Sequence, residues 1–162
     1  MSLCRFRGLH EKNLDRETRN SSKGMHSPMQ KTYIDKLALI EIRDRKILET
    51  CSYGKDTWYI PGGKRDGNES DQEALAREIK EELLVDLIPE TIKHYGTFEA
   101  QAHGKPEGVL VRMTCYMAKY DGELTPHAEI EKIDWFNYSQ KGETSLVDQL
   151  IFDDLKAKNL IE

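Results

Sequence analysis

The sequence has no apolar run approaching the roughly 20 residues that span a membrane, and no apolar stretch near its N-terminus of the kind that directs secretion. A cytoplasmic protein, not held in a membrane, is therefore expected. Positive charge is also in short supply. Against 24 Lys and Arg stand 29 Asp and Glu, a formal net charge of −5, which argues against a dominant electrostatic grip on a nucleic acid polymer. A single nucleotide stays compatible, because its few phosphates can be met locally through metal ions. Cysteine is sparse. Cys4, Cys51 and Cys115 are odd in number and far apart, without the short spacing of a zinc site or redox motif, and read as reduced thiols. No internal repeat or low-complexity tract is visible.

What is present fits one domain. A chain of 162 residues with 38% hydrophobic and 33% charged residues is an ordinary, somewhat polar globular protein. Residues 1–30 stand apart. From Glu11 to Gly24 there is almost no apolar residue and no usable period, which predicts a flexible or weakly ordered arm, or at most a short surface helix. Residues 31–162 form the expected single domain.

From Thr32 the pattern is that of strands. Tyr33 to Ile42 is rich in β-formers, Arg43-Asp44-Arg45 is a polar turn, and Lys46 to Cys51 reads as a second strand. Trp58-Tyr59-Ile60 is a short strand stopped by Pro61-Gly62-Gly63. The period then becomes helical, with Ala74, Leu75, Ile79 and Leu83 on one side. Strands follow at 95–102, 109–118 and 131–136. A closing helix over 145–160 is expected to bury Leu146, Leu150, Ile151, Leu155 and Leu160. One helix between strand blocks and one at the end predict an α+β fold, a mixed β-sheet sandwiched between α-helices.

The chemistry concentrates after the glycine pair. Ser70 followed by Glu73 is a capping box that fixes where the first helix starts. On that helix Glu78, Glu81 and Glu82 fall at i, i+3 and i+4, so their Cβ atoms lie roughly 5–6 Å apart on one side. Like charges at that spacing destabilise a helix by a few tenths of a kcal/mol per pair, and Arg77 relieves only part of it. Acidic runs on helices usually mean a solvated face. A hard divalent cation would relieve the repulsion fully, since Mg²⁺ prefers carboxylate and water oxygens and binds beside phosphates. The loop in front sharpens that reading. Pro61-Gly62-Gly63-Lys64 lets backbone approach a ligand without side chains in the way, and Lys64 supplies a charge suited to a phosphate.

Gly63, five residues, Glu69, seven residues, then Arg77-Glu78-Ile79-Lys80-Glu81-Glu82-Leu83 resembles the signature of the Nudix hydrolases, G-x5-E-x7-R-E-U-x-E-E-x-G-U with U a bulky aliphatic. Every charged position is met, as are the aliphatic ones, Ile79 and Val85. Leu84 replaces the last glycine, which would end the helix in a left-handed conformation, so either the leucine tolerates that strain or the helix exits differently. The strands from about residue 32 onward are similar to those of MutT-like members.

The resemblance implies hydrolysis of a nucleoside diphosphate linked to another group, with Mg²⁺, or Mn²⁺ in its place, as cofactor. Glu78 and Glu82 would be the principal metal ligands. Glu81 would act either as a ligand through water or as the base that takes the proton from attacking water, and the carbonyl of Gly62 would join the inner coordination. Arg77 would orient Glu78 by an ion pair. On the substrate-facing loop, Gly63 and Lys64 would meet the substrate and Glu69 would support them by bonding loop amides or the helix arginine. Some relatives use a glutamate outside the motif as base or extra ligand, for which Glu129, Glu131 and Glu99 are candidates. Phe98, Tyr95 and Trp58 are candidates for stacking on a base, although aromatics beside strands are more often core. No mark of the ADP-ribose, diadenosine polyphosphate or coenzyme A subfamilies follows the motif, which leaves a (d)NTP pyrophosphohydrolase releasing a nucleoside monophosphate and pyrophosphate. A nucleotide sugar hydrolase and a nucleotide-binding or regulatory module without turnover stay open beside it, as does a homodimer.

Overall fold

The computed structural model describes residues 31–162; the arm expected over 1–30 lies outside them. Strand β1 (Thr32–Leu39) runs parallel to β6 (Val109–Met117), which pairs antiparallel with β5 (Lys93–Gln101), giving a mixed sheet in the order β1-β6-β5. A second, antiparallel sheet joins β2 (Ile42–Arg43), β3 (Lys46–Ser52) and β8 (Ile130–Phe136), with a bulge where Cys51 gives way to Ser52. Two short strands, β4 (Asp86–Leu87) and β7 (Tyr120–Asp121), pair with each other. The helices are α1 (Asp71–Leu83) and α2 (Leu146–Ala157). Among the described residues the β-structure is thus divided among three small sheets.

Alternation along β1 explains the layering. Leu37 and Leu39 pack with Leu48 and with Ala74, Leu75, Ile79 and Leu83 of α1. Ala38 and Ile40 point the other way, into a cluster with Val147, Ile151, Phe152 and Leu155 of α2. Each strand residue buries on the face its parity dictates, and a helix covers each face.

Three sequence expectations need correction. The first strand stops at Leu39 rather than Ile42, and β2 begins only after a break. Trp58–Ile60 makes isolated bridges, Tyr59 with Thr50 and Trp58 with Thr144, instead of a ladder, since Pro61 cannot continue it. The buried stripe of α2 is Val147, Ile151, Phe152 and Leu155, whereas Leu146, Leu150 and Leu160 are 45%, 42% and 37% exposed. A helix with leucines on two adjoining faces offers two readings of its apolar side, and packing chose the one centred on the bulkier Phe152. Among the described residues no helix is long and apolar enough to cross a membrane.

Candidate active site

The start of α1 is set by its own sequence. Ser70 accepts a bond from the Glu73 amide while Glu73 reaches back to the Ser70 amide, closing the capping box. At the other end Leu84 adopts the left-handed conformation, φ 56°, and its amide still bonds Lys80 O at 3.1 Å. The helix therefore exits as a glycine would make it exit, with leucine carrying the strain. The segment beyond β7 covers this end: the amides of Thr125 and His127 bond the carbonyls of Leu83 and Glu82, and the His127 ring lies 2.9 Å from Glu81 O. Carbonyls that end a helix without partners are satisfied here, which fixes the turn that carries the glutamates.

The glycine turn is equally determined. Pro61 O and Gly63 O accept from the Leu39 and Leu37 amides of β1 at 2.9 and 2.8 Å. Gly62 has φ 141°, and a Cβ there would overlap the Leu37 carbonyl oxygen. A Cβ on Gly63 would overlap the Glu78 carboxylate. Two glycines are therefore required, one by the strand below and one by the acid above.

Arg77 organises the face between loop and helix. Its guanidinium makes a two-pronged contact with Glu69 (2.7 and 2.8 Å), donates to Lys64 O at 2.9 Å, and reaches Glu78 at 2.9 Å. Glu69 also accepts from the Asp66 amide, and these bonds hold its carboxyl down at about 2. Glu69 thus ties to a loop amide and to the helix arginine together. The same contacts raise Arg77 above its ordinary range.

Behind this face opens a cleft of about 350 Å³, lined by Gly62, Gly63, Lys64, Glu78, Glu82 and Glu129, with Lys36, Thr50, Ser52 and Tyr59. Glu82 is 7% exposed and accepts from the Gly62 amide at 2.9 Å. Burial pushes its carboxyl up to about 8. The Gly62 bond opposes that rise, Glu129 and Glu78 add to it, and Lys36 opposes it. The cleft sets three carboxylates, Glu78, Glu82 and Glu129, against two lysines, Lys36 and Lys64, and hard oxygen donors in excess of the cations beside them fit a divalent cation.

The sequence-derived candidates divide. The cleft brings together Gly62, Gly63, Lys64, Glu78, Glu82 and Glu129. Glu81 is not among its lining groups; its side chain is 55% exposed and lies 3.7 Å from Arg77. Glu99 pairs with Arg112 across the β5–β6 ladder at 2.7 Å, and Glu131 is exposed on β8; neither lines the cleft. Trp58 packs on Phe136, with ring centroids 4.9 Å apart, and Tyr95 stacks on Phe98 against the α2-side cluster, so these three serve packing. Tyr59 is the aromatic in the cleft. Sequence reasoning missed it, together with Lys36, whose only signal was a lysine interrupting an apolar strand.

A second cavity of about 270 Å³ adjoins the first, sharing Lys36, Tyr59, Lys64 and Met113 with it. Ile34, Val111 and Val147 give it apolar walls, His103 and Lys105 stand at its edge, and no carboxylate lines it. The loop bearing His103 and Lys105 is stapled by Gln101, which donates to Pro106 O at 2.8 Å and accepts from the Gly108 amide at 3.2 Å.

Comparison with known proteins agrees with this geometry. A family model described as the NUDIX domain matches residues 36–151. A curated 8-oxo-dGTP diphosphatase of Proteus vulgaris is 31% identical over 68 residues, 42% of this chain; the match spans 56% of that relative's length. Among solved structures, the MutT protein of Methanosarcina mazei Go1 aligns with a TM-score of 0.64 at 18% identity, covering 81% of this chain and 98% of that one. The E. coli ORF135 protein aligns with a TM-score of 0.62 at 23% identity, over 78% of this chain and 91% of that one. At these identities the likeness is one of fold.

Proposed function

The chain belongs to the NUDIX family, and from that premise we propose that it hydrolyses a nucleoside diphosphate linked to another moiety, most specifically a (d)NTP to a nucleoside monophosphate and pyrophosphate. The observation that carries the reading is the meeting of Glu78, Glu82 and Glu129 with the glycine turn, Lys36 and Lys64 in one cleft. Acid and base stand side by side there, as a phosphate chain with its counter-ion requires. The partial match to an 8-oxo-dGTP diphosphatase points to the same substrate class.

Glu78 and Glu82 would hold Mg²⁺ or Mn²⁺, with the Gly62 carbonyl beside them and Glu81 contributing through water. When bound, such an ion polarises phosphoryl oxygens and lowers the pKa of bound water. Lys36 and Lys64 neutralise the phosphate chain and align it, and the second, apolar-walled cavity takes the nucleoside. Water attacks phosphorus in line, the P–O bond of the linkage breaks, and its electron pair leaves with pyrophosphate. The attacking water's proton passes to a carboxylate: Glu129 stands in the cleft, and Glu81 stands outside it but one helical turn from Arg77.

The test is a panel of nucleoside triphosphates, their 8-oxo forms and nucleotide sugars, each incubated with Mg²⁺ and with EDTA, with products separated by anion exchange. Metal-dependent release of pyrophosphate from triphosphates is expected. Turnover of nucleotide sugars alone would replace this substrate assignment, and no turnover with any compound would point to a binding module.

A further inference from the structure

Of the carboxylates that line the cleft, Glu129 is the one that α1 does not supply. It arrives on the chain between β7 and β8, and it is exposed. An exposed glutamate on a connecting segment has rotamer and backbone freedom to lose before it can serve a fixed ion. Its place in the cleft therefore depends on how that segment is anchored.

Anchors lie on both sides of Glu129. Ahead of it, Thr125 N bonds Leu83 O at 2.9 Å and His127 N bonds Glu82 O at 2.8 Å. His127 adds a third bond through its ring, with Nδ1 2.9 Å from Glu81 O. A carbonyl oxygen only accepts, so Nδ1 carries the proton and donates it. Pro126 stiffens this stretch, because its ring fixes its own φ and confines Thr125 to extended backbone. On the far side, Tyr53 N bonds Glu129 O at 3.0 Å, and Ile130 opens β8.

Between the anchors sits a strained residue. Ala128 has φ 51°, in the left-handed region that costs a residue with a Cβ. Ile130 N closes on His127 O at 3.0 Å, so His127 to Ile130 form one turn with Ala128 inside it. A non-glycine residue persists in that conformation where its surroundings over-determine it. The three bonds to the end of α1 do so on one side and the Tyr53 bond on the other. Of these four contacts, the His127 ring alone is a side chain, so a substitution can remove it and leave the backbone bonds in place.

We propose that His127 is a positioning residue: its ring bond to the Glu81 carbonyl pins the turn to the end of α1 and so delivers Glu129 to the ion site of Glu78 and Glu82. His127 itself touches neither substrate nor ion. Glu82 thereby contributes twice, its side chain to the cleft and its carbonyl to the seat of a second acid. The tether stands on the geometry alone, whereas its consequence for the ion rests on the hydrolase reading above.

His127→Ala and His127→Asn test it, because the Asn amide nitrogen falls near the place of Nδ1 and donates in the same direction, whereas Ala has no donor. Backbone order at Ala128 and Glu129, read from NMR relaxation, should match the wild type in His127→Asn and fall in His127→Ala. Mn²⁺ affinity, read from the free-ion EPR signal, should drop about three- to tenfold in His127→Ala and stay within about twofold in His127→Asn. Beside Glu129→Gln, His127→Ala should weaken Mn²⁺ binding by less than about twofold more, since the group it positions is already altered. Unchanged backbone order in His127→Ala would overturn the tether. A loss of affinity that persists in full beside Glu129→Gln would move the effect to the end of α1 and overturn the positioning of Glu129. An Asn variant no better than Ala, or a Glu129→Gln protein that binds Mn²⁺ like the wild type, would overturn it equally. A wild-type protein that binds no Mn²⁺ would count against the hydrolase reading, and the relaxation data would still decide the tether.

Discussion

The protein places one group of carboxyls on each side of the segment from Trp58 to Gly63, and their surroundings differ. On the α1 side, Glu78 and Glu82 open onto a cleft, with Arg77, Lys36 and the Gly62 amide offsetting part of their charge. On the α2 side, Glu49 and Asp148 are sealed from solvent with three oxygens unpartnered. An acid cluster that a cation can reach is suited to be completed by a metal, whereas one that nothing can reach must keep a proton. Access to solvent, more than the count of acids, separates the two.

The comparison breaks first at Glu82. Glu82→Gln should lower turnover about 100-fold or more while the melting temperature holds or rises, because the amide oxygen can still accept from Gly62 N and a buried acid is gone. A melting temperature that collapses along with the rate would make Glu82 a structural acid like those on the α2 side. Next comes Gly63→Ala, whose methyl would displace the Glu78 carboxylate; turnover should fall about 10- to 100-fold with the fold intact. Gly62→Ala meets backbone at Leu37 instead, so urea denaturation should register a loss of about 2–4 kcal/mol.

The sealed side makes the opposite prediction. Burial raises Asp148 from the ordinary carboxylate range to about 7. The folded state therefore holds its proton more tightly than the unfolded chain, and stability present below about pH 4 is lost as pH rises through about 7. Asp148→Asn removes that loss: equal melting temperatures near pH 4 and a gain of about 1–3 kcal/mol at pH 8 are expected from denaturation at the two pH values. Smallest of all, Glu99→Gln and Glu131→Gln on the strand surfaces should change turnover less than about twofold and stability by less than ~0.5 kcal/mol. A larger effect at either would extend the cleft's acid set beyond its present walls.

Local signals in the chain carried far. The Ser70 cap and the stripe Ala74-Leu75-Ile79-Leu83 are each decided by neighbours within a few residues, and each stands in the structure as read. What depended on distant pairing was not legible. Glu99 meets Arg112 only because β5 and β6 adopt one register, and the burial of Glu49 and Asp148 depends on how sheets and helices pack together. Lys36 lines the cleft only because the glycine turn bonds to β1 beside it. Glu81 shows the limit of helical spacing, for a shared side of a helix does not ensure a shared cavity.

Leu84 closes α1 in a left-handed backbone conformation while its side chain stays 41% exposed. Such a residue strains the main chain by roughly 1–2 kcal/mol and gains little from packing in exchange. Glycine there would keep the same exit, since the amide bond to Lys80 O comes from the backbone. The end of this helix therefore holds an undrawn margin of robustness, at a position that supplies no oxygen to the cleft. An engineer could use it to offset damaging changes made among the reactive groups.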